Sequence, residues 1–186
     1  MRPEIRAFYH LGIIGLLVTT VFACKKKEIY PETPSIEYKS YRFLSDQSGL
    51  DSLLILQFSF KDGDGDLGLS QADTLAPFNP VIDSTGKSIN PYYNNIHIEY
   101  REKYLGVFNF VTNPFNVFDT LTYAYRFESI TPDGRHKAIR GDVEVSIGPS
   151  YYPNAQDTTI YRFYIYDRAL HKSNIAETPP IVWIRR

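Results

Sequence analysis

Three aspartates, Asp62, Asp64 and Asp66, alternate with Gly63 and Gly65 directly after an apolar stretch of the sequence. Carboxylates packed this closely repel one another, and the repulsion grows as water is excluded. Calcium is a hard cation that prefers carboxylate and carbonyl oxygens, so its binding would replace this repulsion with attraction. The glycines give the backbone the freedom to fold around one point. The sequence therefore predicts a structural calcium site.

The spacing of the aspartates partly matches the calcium loop of an EF-hand. Asp62, Asp64 and Asp66 fit positions 1, 3 and 5, and Asp73 falls at position 12. However, Leu67 occupies the place of the invariant glycine, and the preceding segment is a predicted strand rather than a helix. We therefore expect similar chemistry on another scaffold, with Asp73 as an additional ligand. A flexible turn without metal and a site for another cation are the alternatives.

Alternating apolar and polar residues dominate the rest of the chain, which is typical of β-strands with one buried face. No helix longer than a turn or two is predicted. Polar connections rich in Pro, Asn, Asp and Gly separate the alternating stretches, and the connection 69–95 is long enough to suggest a function of its own. About seven or eight strands of this kind predict an all-β, antiparallel sandwich. The predicted strands are 36–44, 53–60, 96–101, 107–111, 120–128, 142–147, 159–166 and 181–184.

The spacing of Asp157, Tyr161 and Phe163 resembles the tyrosine corner of immunoglobulin-like domains, although the cysteine pair of that family is missing. The resemblance implies that the Tyr161 hydroxyl bonds back to the preceding loop. It also implies that the loops after the second and sixth strands lie at one end of the sandwich. Asp167 directly follows the predicted strand 159–166, which the resemblance equates with the sixth strand of such a domain, and it shares the inward parity of Tyr161 and Phe163. We therefore expect Asp167 to complete the ion site at residues 62–66.

The N-terminal residues have the form of a secretory signal, because two arginines precede an apolar run that is short for a membrane span. The run ends in Val-Phe-Ala-Cys, and Cys24 is the only cysteine of the chain. This ending resembles the lipobox of bacterial lipoproteins, which implies cleavage before Cys24 and acylation of its sulfur and its new amino group. The predicted organisation is a signal peptide at 1–23, a lipidated cysteine and linker at 24–35, and an immunoglobulin-like domain at 36–186.

The lipobox, the acidic loop, Ile139–Ile147 and residues 166–174 together resemble a set of uncharacterised lipoproteins from Bacteroidetes-type bacteria. The resemblance implies an exported immunoglobulin-like domain in the cell envelope, and it supplies no activity. Three lysines follow Cys24 without the acidic cluster that surface-exported lipoproteins of such bacteria often carry. We therefore expect anchoring in the outer membrane through the lipid, with the periplasmic face favoured over the cell surface.

Charge and motif content exclude several functional classes. The formal net charge is −1 for the whole chain and becomes −2 once the signal with its two arginines and one glutamate is removed, so no nucleic-acid partner is expected. The sequence has no Gly-x-Ser-x-Gly elbow, and its histidines lack the spacing of a metal motif. The glutamates of the strands are expected on solvated faces, and we predict no enzyme. These glutamates are Glu99, Glu102, Glu128 and Glu144.

Two tyrosine pairs, Tyr92 with Tyr93 and Tyr151 with Tyr152, lie in polar connections where aromatic rings could stack on a sugar or a partner protein. The favoured function is a non-catalytic binding or scaffold module with an envelope protein or glycan as its partner. One alternative is a carbohydrate-capture module that uses these tyrosines. The other is an envelope hydrolase that uses paired surface carboxylates.

Overall fold

A computed structural model describes residues 29–184, except 85, 87, 114–115, 131–137 and 149–155 and the side chains of 116–118. The predicted signal peptide, Cys24, Tyr151 and Tyr152 lie outside the described residues. None of the described segments is a helix of the length and apolar character that crossing a bilayer requires.

The described chain forms strands connected by turns and irregular segments. Alternating residues with opposite burial, such as those of β2, account for the longer strands, because one face of each packs inward. The strands are β1 Ser35–Ser45, β2 Asp51–Asp62, β3 Ile96–Tyr104, β4 Val107–Phe110, β5 Thr112–Asn113, β6 Asn116–Thr120, β7 Thr122–Tyr125, β8 Ile139–Ile147, β9 Thr158–Ile165, β10 Ala176–Glu177 and β11 Ile181–Val182.

Antiparallel pairing joins these strands into two main sheets. One has the order β1-β2-β8, and the other has the order β10-β9-β3-β4, with β7 paired to β3 and β11 paired to β9. Strands β5 and β6 form a separate ribbon. The predicted all-β antiparallel sandwich is therefore confirmed. Strands β1, β2 and β8 occupy the places of A, B and E in an immunoglobulin sandwich, while β3, β9 and β10–β11 occupy those of C, F and G.

The core lies between the two sheets. The inward side chains of β2 meet those of β9 directly, since the rings of Phe58 and Phe163 lie 5.1 Å apart. Trp183 directly follows β11, and its ring packs 4.9 Å from Phe43 while its indole nitrogen donates to the Thr159 hydroxyl at 3.1 Å. Aromatic contacts therefore join the two sheets both in the middle of the sandwich and next to β11.

The acidic loop begins where β2 ends and is tied down immediately afterwards. Leu67 and Leu69 are buried, and their backbones bond to Ile130 and Phe127. Gly68 between them has a φ of 94°, and a Cβ there would lie 2.6 Å from the Cα of Ser129. The place that an EF-hand gives to glycine is therefore filled by a core leucine, which fixes where the loop leaves the sheet.

Asn95 fixes the start of β3 at the same end of the sandwich. Its side chain is buried and exchanges two hydrogen bonds with the backbone of Phe127, at 3.0 and 3.2 Å. Its carbonyl accepts the amide of Tyr166 at 3.0 Å, directly after β9. The segment that follows β9 is therefore held close to the loop that follows β2.

Two details of the sequence interpretation change. Glu102 was expected on a solvated face, but it is buried and accepts the Tyr100 hydroxyl at 2.6 Å and the amide of Gln156 at 3.0 Å. The predicted strand 120–128 is also shorter in the structure, because β7 ends at Tyr125.

A candidate metal centre at one end of the sandwich

Asp62, Asp66 and Asp167 converge at the end of the sandwich. One oxygen of each lies within 4.8 Å of the others. Calcium binds oxygens at about 2.3–2.6 Å, so two of its ligands lie at most about 5 Å apart, and the observed separations fit one ion. Asp62 is the last residue of β2 and Asp167 follows β9, so the cluster takes side chains from both sheets. The structure thus brings together the three residues that strand parity and loop order predicted to be neighbours.

Hydrogen bonds within the acidic loop, and between it and the loop that follows β9, define the shape of the cluster. The Asp62 Oδ2 accepts the amide of Asp66 at 3.0 Å, which closes the acidic loop on itself. The Asp66 Oδ2 accepts the amide of Ala169 at 2.9 Å, and the Asp66 carbonyl accepts the amide of Arg168 at 3.2 Å. Each of these carboxylates therefore uses one oxygen for the protein and leaves the other for a ligand.

Three carboxylate oxygens are buried without a hydrogen-bond partner in the described structure. They are the Oδ1 atoms of Asp62, Asp64 and Asp66. A buried, unsatisfied oxygen is costly, and the cost is larger when it carries charge. Asp62 as a whole is 0% exposed, so water does not reach it from the surface. Asp64, also a predicted ligand, is not part of the converging group of Asp62, Asp66 and Asp167. A cation bound to that group would give its buried carboxylate oxygens a partner.

The pKa values of the clustered carboxyl groups also show that their negative charge is not compensated. Burial raises the pKa of Asp62 to about 7, and repulsion by Asp64 and Asp66 adds to the effect. Burial also raises the pKa of Asp66 to about 6, followed by repulsion from Asp167 and Asp64. The pKa of Asp167 is raised by burial as well. The metal-free cluster therefore holds protons more tightly than ordinary aspartates do.

His171 makes contact with the cluster through Asp167. Its amide donates to the Asp167 Oδ1 at 2.7 Å, and its Nδ1 lies 2.9 Å from the Asp167 Oδ2. Leu170 adopts a φ of 69° to close this small loop. The neighbouring carboxylate raises the pKa of His171. Carboxylate oxygens accept more than one bond, so these contacts orient Asp167 without preventing it from binding a cation.

Asp73 does not join the cluster, which corrects its predicted role as a ligand. Its two carboxylate oxygens accept the guanidinium of Arg168 at 2.7 and 3.0 Å, and the Oδ2 also accepts the amide of Ser70. This bidentate pair holds the pKa of Asp73 well below its usual range. Asp73 therefore positions Arg168, whose own amide contacts Asp66, and it leaves the proposed ligand set.

The described tyrosine pair is occupied by contacts within the protein. The ring of Tyr92 packs edge to face against Tyr166 at 5.0 Å, and the guanidinium of Arg126 lies 5.3 Å from the ring centre of Tyr93. Each of these contacts covers part of a ring, and a role of Tyr92 and Tyr93 in sugar binding stays a prediction. The second pair, Tyr151 and Tyr152, lies outside the described residues.

The glutamates considered for hydrolysis also have partners. Glu99 lies 3.4 Å from Arg101 and 3.6 Å from Arg162. Glu144 pairs with Arg42 at 3.1 Å. Glu128 accepts the side-chain amide of Gln71 at 3.4 Å, and Glu102 is buried among donors. These contacts suit ion pairs on a surface and a satisfied core residue rather than an acid–base pair.

Sequence reasoning missed a cavity of about 480 Å³ between the outer face of the larger sheet and the connection 81–94. Within it the rings of His97 and Tyr164 stack at 5.1 Å. The His97 Nε2 lies 2.8 Å from the Pro91 carbonyl and 3.0 Å from the Asn94 carbonyl, and burial lowers the pKa of His97. The length of the polar connection was the only signal for this site in the sequence.

Fold and site together define an all-β sandwich with an acidic cluster whose donors suit a hard cation. Comparison with protein-family models found no match, and comparisons with curated proteins and with solved structures found no significant match. The function is therefore inferred from the chemistry of the site and from the sequence.

The raised pKa values predict how the metal-free protein responds to pH. The folded state holds the protons of Asp62 and Asp66 more tightly than the unfolded chain, up to pKa values of about 7 and about 6. This contribution to stability is complete below pH ~4 and is lost as the pH rises through 6 and 7. In the presence of a chelator, we expect a lower melting temperature at pH 8 than at pH 5.

Two variants accompany this measurement. Asp62→Asn should flatten the pH dependence, because it removes the carboxylate with the more strongly raised pKa. Asp142→Asn changes an exposed carboxylate beside Lys39 and should leave the profile unchanged. A wild-type melting temperature that stays constant or rises between pH 5 and pH 8 would contradict this description of the cluster.

Proposed function

We propose that the protein is a lipid-anchored, non-catalytic binding or scaffold module of the cell envelope, stabilised by calcium bound to Asp62, Asp64, Asp66 and Asp167. The convergence of Asp62, Asp66 and Asp167, with a buried and unpartnered Oδ1 on both Asp62 and Asp66, carries the metal part of this proposal. Its role is structural, because the ion would join the loop after β2 in one sheet to the loop after β9 in the other.

Calcium fits this donor set better than other common cations do. Each candidate ligand is an oxygen, whereas zinc prefers the nitrogen and sulfur of His and Cys. The Nδ1 of His171 already lies against Asp167. Calcium accepts six to eight oxygens in flexible geometry, so backbone carbonyls and water can complete its shell, whereas magnesium demands a near-ideal octahedron. An affinity of about 0.1–1 mM, typical of extracellular modules, would suffice outside the cytoplasm.

The lipid anchor is supported by the sequence around Cys24. An apolar signal, a small residue before the cleavage point and a single cysteine coincide there. Two or three acyl chains on one residue anchor a protein firmly, whereas a single chain does not. The outer membrane, with its periplasmic face favoured, follows from the resemblance to Bacteroidetes-type lipoproteins.

The cavity on the outer sheet face supports a second candidate function, glycan capture. Its volume suits a small ligand, and its described lining residues include Glu99 and Asp119 but no lysine or arginine. Such a lining disfavours anions and favours a ligand rich in hydroxyl groups. In this alternative the sugar would contact the His97–Tyr164 face rather than the loop tyrosines. The hydrolase alternative is weaker, since the strand glutamates are already paired.

Calcium should raise the melting temperature of the domain at pH 7.5. At 10–100 times its dissociation constant, a ligand that binds only the folded state adds about 1.4–2.7 kcal/mol. For a domain of this size that corresponds to an increase of roughly 3–10 °C. Thermal melts with calcium and with a chelator measure the effect.

Substitution of single carboxylates tests the assignment of ligands. Asp64→Asn and Asp66→Asn should abolish most of the calcium effect, because each removes a charge and a ligand oxygen from the cluster. Asp142→Asn should retain it in full, as an exposed acidic control outside the cluster. Identical melting temperatures in calcium and chelator for the wild type would remove the ion from the proposed function.

The anchor predicts a change in location when Cys24 is replaced. In a bacterial host with lipoprotein processing, the wild type should be recovered with membranes and labelled by a palmitate analogue. Cys24→Ser should lose the label and move to the soluble fraction. Unlabelled wild-type protein, or membrane retention of the variant equal to that of the wild type, would contradict lipid anchoring.

A further inference from the structure

We propose that metal binding at the acidic loop is coupled to docking of the N-terminal arm, residues 29–34, against that loop. This inference rests on the proposed function, because it assigns a regulated partner to the same calcium site. The partner is a segment of the chain itself, the stretch that leads from the membrane anchor into β1.

The arm packs directly on the backbone between two of the proposed ligands. The amide of Gly63 donates to the Pro31 carbonyl at 2.8 Å. A Cβ placed on Gly63 would overlap the carbonyl oxygens of Tyr30 and Pro31, the latter at 2.6 Å. Gly63 is flanked by Asp62 and Asp64, so the peptide that holds the arm belongs to the loop that would hold the ion.

Further contacts fix the arm to the same end of the sandwich. The ammonium of Lys61 lies 5.8 Å from the ring centre of Tyr30, and Pro34 is buried. The side chain of Asn174 exchanges two hydrogen bonds with the backbone of Ile36, at 2.9 and 2.8 Å. Asn174 follows the loop that carries Asp167. The start of β1 is therefore bonded to one loop of the cluster, and the arm before it is packed on the other.

Charge repulsion supplies the coupling between ion and arm. Without a cation, the carboxylates of Asp62, Asp64, Asp66 and Asp167 repel, which favours opening of the acidic loop and loss of the Gly63–Pro31 bond. With a cation bound, the loop closes in the shape that the arm contacts. Coupling is reciprocal, so arm docking must strengthen calcium binding by the same factor by which calcium strengthens docking.

Docking of the arm would change the distance and the orientation of the domain relative to the membrane. A fully extended chain reaches at most about 17 Å from Cys24 to Ile29 and at most about 34 Å from Cys24 to Pro34. A docked arm would thus hold the calcium end of the sandwich close to the bilayer. A released arm would double the length of the tether and free the orientation of the domain. Calcium binding would favour the docked state of the arm over the released state.

A single spin label tests the coupling in the mature-length chain, residues 24–186. Cys24→Ala removes the only cysteine, and Ile29→Cys places one at the exposed start of the arm, where the native side chain is 86% exposed. Calcium should shift the nitroxide spectrum of this parent from mobile towards immobile. Calcium affinity is measured in parallel by titration calorimetry.

Gly63→Ala is the decisive variant, because its added methyl group displaces the arm without removing a carboxylate. Its label should stay mobile in calcium, and its calcium dissociation constant should rise by about fivefold or more, as reciprocal coupling requires. Gly148→Ala is the matched control, since a Cβ at Gly148 meets nothing within 4 Å, and it should behave like the parent. Asp64→Asn should lose both calcium binding and immobilisation.

The possible failures have different meanings. If calcium binds the parent while the label mobility does not change, the coupling is wrong and the metal site stands. If Gly63→Ala binds calcium as tightly as the parent, the coupling is likewise wrong. If calorimetry detects no calcium binding to the parent, the proposed function itself fails.

Discussion

Buried negative charge at one end of the sandwich is the constraint on which the rest of the structure depends. Asp62 and Asp167 are nearly inaccessible to solvent, and one oxygen of each lies within 4.8 Å of an oxygen of Asp66. Hydrogen bonds satisfy only part of the carboxylate oxygens, so the cluster must be protonated, bind a cation or open. Each of these outcomes changes the contacts between the two sheets, because the carboxylates come from loops of both.

Neighbouring residues hold the carboxylates in place instead of neutralising them. Leu67 and Leu69 bury the exit of the acidic loop in the core, and Asp73 occupies the guanidinium of Arg168. The guanidinium of Arg168, whose backbone amide contacts Asp66, is therefore paired with Asp73 outside the cluster. His171 pairs with Asp167, and it is partly exposed. The negative charge of the cluster is therefore not compensated by the protein. A site for an external cation requires such uncompensated charge.

Strand periodicity predicted much of the fold and part of the site. Alternation located β2 and β9, and the parity of Asp167 with Tyr161 and Phe163 placed its side chain inward. The same parity was available for Glu102, which follows Ile96, Ile98 and Tyr100 at even spacing and is buried with them. Its charge suggested a solvated face, but the Tyr100 hydroxyl and a loop amide compensate it.

Features that depend on irregular connections could not be predicted from the sequence. Asp73 matched position 12 of an EF-hand by count, but the buried Leu67 and Leu69 direct the chain away from the cluster and towards Arg168. The cavity beside His97 forms only because the connection 81–94 folds back over the sheet. The arm contact at Gly63 likewise arises from tertiary packing, since a glycine in a sequence does not show what approaches it.

A crystal structure of the domain grown with millimolar calcium, with anomalous data collected for that ion, tests the central claim most directly. We expect an anomalous peak about 2.3–2.6 Å from oxygens of Asp62, Asp66 and Asp167, with the Oδ1 of Asp64 in contact. The contrary result would be no peak at the cluster, with the carboxylates sharing protons and bonded to one another at the same calcium concentration.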